Sequence, residues 1–92
     1  MALYFFIFEA EAAAPERAAD RVLATVIVKS AEADSAEARA RNAVTSNGHV
    51  IKRVAVARMP LHPKRLYGIN ESSLRQIDEA ERLGIGTRYH AL

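Results

Sequence analysis

The chain contains no cysteine and only three histidines. The first absence excludes disulfide staples, thiol nucleophiles and every zinc centre built on thiolates, and the second leaves few soft ligands of any kind. Aromatic residues make up only 7% of the 92 positions and eighteen residues are alanine, so a hydrophobic content of 50% overstates the area available to a core. No apolar run is long enough to cross a bilayer, because the stretch from Met1 to Phe8 closes at Glu9. That run is also shorter than a secretory leader and has no positive region before it, which sets the expectation of a cytoplasmic protein with no membrane partner. Lysine is scarce as well, at three residues against ten arginines. Such a bias fits a GC-rich, bacterial coding sequence, or anion binding.

What is present describes a single soluble domain over residues 1–92, with 26% charged residues. A fold of this size buries about 60–65% of its unfolded surface. Its stability is therefore marginal unless association adds to the core. Net charge is +2, unevenly spread: residues 1–48 carry five basic and seven acidic side chains, residues 49–92 eight and four. From His49 to Tyr67 there are five cations and no acid.

Leu3 to Phe8 is apolar at every position, which predicts a strand covered on both faces. Residues 9–21 lack large apolar groups and read as a connection. Val22 to Val28 is β-branched and predicts a second strand antiparallel to the first. Asp34-Ser35-Ala36-Glu37 has the form of a capping box, which starts a helix at Ser35. Ala36, Ala40, Ala43 and Val44 give that helix a stripe of small residues suited to close approach, and Asn47-Gly48 ends it. His49 to Met59 reads as a third, less buried strand stopped by Pro60 and Pro63. A second helix, capped by Asn70 or Ser73, carries Leu74, Ile77, Ala80 and Leu83 as a narrow apolar line and stops at Gly84. The tail 86–92 is an optional edge strand.

The order β-β-α-β-α with an optional final β describes an α+β fold. It predicts a small antiparallel or mixed sheet of three or four strands with two helices, in a ferredoxin-like two-layer arrangement, with strand order 2-1-3. If both helices lie on one face, Tyr4, Phe6 and Phe8 are exposed on the other. Such a patch reaches several hundred Å², and burying it offers on the order of 10 kcal/mol gross at about 25 cal/mol per Å². A symmetric homodimer built on Tyr4, Phe6 and Phe8 is therefore the expectation, the alternative being a monomer with one helix on each side.

Glu9 and Glu11 share a side if the first strand continues, and with Glu16 and Asp20 they form a conceivable carboxylate cluster. No two of His49, His62 and His90 have the i, i+4 spacing of a helical metal pair. No serine has a neighbouring base, so no catalytic residue, metal site or cofactor is assigned. Gly84-Ile85-Gly86 follows a helix, the wrong place for a phosphate cradle, and reads as a cap and turn. The basic segment 49–67 remains. Lys52 and Arg58 on one strand face, with Lys64 and Arg65 on the following loop and Tyr67 as a stacking ring, form a candidate anion or nucleic-acid surface. Three readings follow: a non-catalytic homodimeric interaction or regulatory module first, an RNA- or DNA-binding protein second, and a small ligand-binding or enzymatic dimer third.

Overall fold

The computed structural model describes residues 1–13, 21–61 and 71–92. The apolar start forms β1 (Ala2–Ala12), and β2 (Arg21–Ser30) returns antiparallel to it, from Ala2 opposite Ser30 to Glu11 opposite Arg21. After α1 (Ala33–Ser46) come β3 (His49–Leu61), α2 (Glu71–Leu83) and β4 (Ile85–Ala91). The four strands form one antiparallel sheet in the order β3-β1-β2-β4. The α+β class, the 2-1-3 order of the first three strands and the final strand are as expected. Among the described residues, no helix is long and apolar enough to cross a membrane.

The layering is decided by side-chain size. Phe6, Phe8, Ala10, Ala24, Val26 and Val28 point to one side, where Ala36, Ala40 and Val44 of α1 cover them. Leu3 and Ile27 point to the other, against Ala80 of α2. The helices thus take opposite faces of the sheet, giving helix–sheet–helix layers in place of the expected two. Phe6 and Phe8 are fully buried beneath α1, and Tyr4 packs against the same core. The association face assigned to Tyr4, Phe6 and Phe8 is therefore corrected: Phe6 and Phe8 are the interior of one subunit, and Tyr4 is half-buried against them.

Several boundaries differ from the sequence reading for local reasons. Residues 9–12 continue β1 where a connection was expected, because Glu9 and Glu11 alternate with a buried Ala10. Pro60 lies inside β3, which tolerates it as an edge strand. The capping box does not form. Glu32 is the N-cap without a side-chain bond, the chain being turned instead by Ser30, whose hydroxyl accepts from the Glu32 amide and donates to the Glu32 carbonyl. Ser73 sits within α2, and Asn70 lies outside the described residues. The expected glycine stops hold, with Gly48 at φ +82° and Gly84 at φ +88°.

Half of the expected apolar line of α2 faces the sheet, since Ala80 is buried and Ile77 packs beside it, and the other half does not. Gln76 and Ala80 are buried, whereas Leu74 and Leu83 are exposed. Gln76 Nε2 donates to the carbonyls of Thr25 at 2.8 Å and Gly86 at 3.1 Å, so its amide is satisfied against the sheet. The cause is Gly86. A Cβ there would stand 2.4 Å from the Gln76 carbonyl oxygen, so helix and strand meet backbone to backbone at this one residue. Gly86→Ala should therefore lower stability by about 3 kcal/mol through overpacking. Gly48→Ala, strained by its φ but open within 4 Å, should cost only about 1–2 kcal/mol. Denaturant midpoints of the two variants check that order.

Candidate functional site

α2 lies over β2 and β4, where Ala80 meets Ile27, Glu81 pairs with Lys29 at 3.2 Å and Glu79 pairs with Arg88 at 2.7 Å. On the same side of the sheet, the core under α2 reaches the Leu3, Phe5 and Leu61 end of β1 and β3, and among the described residues the cover thins away from that end. There Phe5 stands opposite Met59, and Ile7 opposite Val56. Phe5, Ile7 and Val56 are half-buried and Met59 is 42% exposed. Ile7, Val56 and Met59 belong to neither core.

This apolar strip ends in a charged rim. Glu9 accepts from Arg53 Nε, and Glu11 bridges Arg21 at 3.2 Å and Lys52 at 3.8 Å. These residues line an open cavity of about 350 Å³. Glu9 and Glu11 do share a side, as expected of a continuing strand, but each carboxylate already has a cation. Among the described residues no group of three His, Asp or Glu is placed to hold a metal; Glu16 and Asp20 lie outside them.

β3 separates the cations that alternation alone would have aligned. Its pairing with β1 shifts register three times, and Arg58 takes a left-handed φ of 56°. Lys52 consequently reaches Glu11 on the α2 side. Arg58 reaches the first turns of α1, with Asp34 at 2.7 Å and Glu37 at 2.9 Å. The expectation that Lys52 and Arg58 share a face is thus overturned, and each is paired with an acid of the N-terminal half. Lys64, Arg65, Tyr67 and His62 lie outside the described residues.

The remaining polar groups do not converge. His49 stacks on Tyr89 with centroids 4.9 Å apart, and its buried Nδ1 has no partner among the described residues. The Tyr89 hydroxyl accepts from Asn47 Nδ2 at 2.9 Å. His90 is exposed near a second cavity of about 230 Å³ between α2 and the sheet, lined also by Thr25, Gln76 and Arg88. Arg88 is committed there to Glu79. Comparison with protein-family models, with curated proteins and with solved structures returned no match.

The open strip was missed because the six residues Leu3 to Phe8 look equally apolar. The signal that finds it is the stripe of α1: a helix offering only Ala36, Ala40 and Val44 needs the larger rings opposite it, which leaves Phe5 and Ile7 for the less covered side.

Arg58, paired with Asp34 and Glu37, ties α1 to β3. The hydrogen bond from Arg58, with a further one from Arg41, holds the Glu37 carboxyl below its ordinary value against the opposing effect of desolvation. A carboxylate lowered in the folded state contributes stability above its unfolded value near 4.5, and that contribution is lost as the pH falls through the lower folded value. Glu37→Gln should therefore reduce the acid-induced drop in the denaturant midpoint relative to the parent. Midpoints measured from pH 7 to pH 2 test this.

Proposed function

We propose that the chain is a small, non-catalytic interaction module acting as a homodimer, in which two copies meet through the α2-side face of β1 and β3. The observation that carries this reading is the pairing of Phe5 with Met59 and Ile7 with Val56 on a partly exposed strip bounded by charges of both signs. A two-fold axis across such a strip brings Glu9 and Glu11 of one copy toward Lys52 and Arg53 of the other, so the rim is self-complementary. Two strands are about 10 Å wide and, over eleven residues, about 35 Å long, so the face covers about 350 Å². That is well under the about 800 Å² per partner of a standard interface, so the dimer is weak and exchanges rapidly.

The nucleic-acid reading has less support, since Lys52, Arg53 and Arg58 all face acids at short range. The cytoplasm of a bacterium remains our reading of its setting, on composition alone.

Sedimentation equilibrium from micromolar to millimolar protein tests the proposal. The mass should rise from 10.1 kDa toward twice that value, and Ile7→Glu or Val56→Glu should hold it at the monomer value with an unchanged circular dichroism spectrum. A parent that stays monomeric throughout overturns the dimer. Oligonucleotide binding that weakens steeply with salt and disappears in the Lys64→Glu, Arg65→Glu double variant would favour the nucleic-acid reading instead.

A further inference from the structure

The sheet has two edges, and they are protected differently. β3 carries three register shifts, the left-handed Arg58 and Pro60, each of which spoils a template for a further strand. β4 has no proline, no positive φ outside its leading Gly84, and an unbroken register with β2 from Val22 opposite Ala91 to Val28 opposite Ile85. By local geometry it is the more open of the two.

Which backbone groups of β4 point outward follows from its end bonds. The Lys29 amide donates to the Gly84 carbonyl at 2.9 Å, and the Leu92 amide to the Arg21 carbonyl at 3.1 Å. Antiparallel pairs alternate, so Gly86, Arg88 and His90 also turn their backbone toward β2. Ile85, Thr87, Tyr89 and Ala91 turn theirs to the outer edge, which no described strand pairs. The Thr87 carbonyl is thus a central acceptor of the exposed row, and it is engaged: Arg88 Nη1 donates to it at 2.9 Å. The same guanidinium is fixed by a fork onto Glu79, with Nη1 at 2.9 Å and Nη2 at 2.7 Å from the two carboxylate oxygens. Both side chains are about one-third exposed, where an ion pair contributes little to stability.

We propose that Arg88, held by Glu79, guards the β4 edge against strand addition by a second copy of the chain. The guanidinium lies at the acceptor that an incoming amide has to reach, and it sets a cation on the edge that an antiparallel copy would bring close to its own. This surface is separate from the β1–β3 face, and the guard does not depend on the dimer proposed there.

The test uses the Ile7→Glu chain, which is monomeric whether or not the face dimer exists. Adding Arg88→Ala should give a concentration-dependent doubling of mass, with amide exchange at Thr87, Tyr89 and Ala91 slowed at least tenfold at high concentration. Adding Arg88→Lys, which keeps the charge but cannot hold both Glu79 and the Thr87 carbonyl, should do the same to a lesser degree. Arg82→Ala breaks the exposed pair with Asp78 and should leave the mass unchanged. Folded Arg88 variants that remain at 10.1 kDa, or that associate with protection away from β4, overturn the proposal.

Discussion

Among the described residues, two helices cover both faces of a four-stranded sheet, and they are too narrow to do so alone. Strands lie about 4.8 Å apart, so four span about 19 Å, whereas a helix with its side chains is about 10 Å across and shields about two. Full cover would take about four helices. On the α1 side the deficit is met by side chains that lean in from the flanks: Tyr4, Val22, Ile51, Val54, Ile85 and Tyr89 all pack against that core. On the α2 side, among the described residues, only Phe5, Leu61 and Ile77 do so, and these leave the face of β1 and β3 thin.

Which face is well covered is decided by complementarity of size. Phe6 and Phe8 stack with centroids 5.9 Å apart and fill the space that a helix of small residues leaves above the sheet. Large rings under a small stripe close the gap that either partner alone would leave. Burial of this set orients α1 and fixes the handed-out role of alternate β1 residues: even positions inward to α1, odd positions toward α2. α2, by contrast, is seated by a backbone approach at Gly86 and a satisfied amide on Gln76, which places it accurately but buries little apolar area.

Much of this was legible in the sequence, and the failures share a cause. The strands, both glycine stops and the stripe of α1 are one-dimensional signals, carried by runs and spacings. The side taken by each helix is not, because Leu3 to Phe8 offers apolar groups to both faces. The grouping of Lys52 with Arg58 failed for a related reason: alternation holds only while the register does, and the shifts in β3 leave these two on opposite faces. Capping-box residues Asp34 and Glu37 were read as serving their own helix. Both pair with Arg58 of a neighbouring strand, Glu37 keeping Arg41 of its own helix as well, since a guanidinium is a stronger partner for a carboxylate than a backbone amide. Gln76 was invisible as a core residue because polar character argues for solvent until the carbonyls that satisfy it are known.

The charge pattern has a structural reading that does not need a polyanion. An acidic first half and a basic second half look like a binding surface when the chain is read in line. The sheet order sets β1 beside β3, however, and thereby puts Glu9 and Glu11 next to Arg53 and Lys52, while the crossover through α1 puts Asp34 and Glu37 next to Arg58. Each pair is exposed enough to contribute little singly. Their collective effect is on specificity: a slip of β3 by one residue would turn these cations to the wrong face, away from their acids, and the shifts in β3 pairing are the arrangement that lets all three meet a partner at once. Among the described residues, charge asymmetry along the chain is therefore accounted for by register, and what it leaves at the surface is a rim of mixed sign.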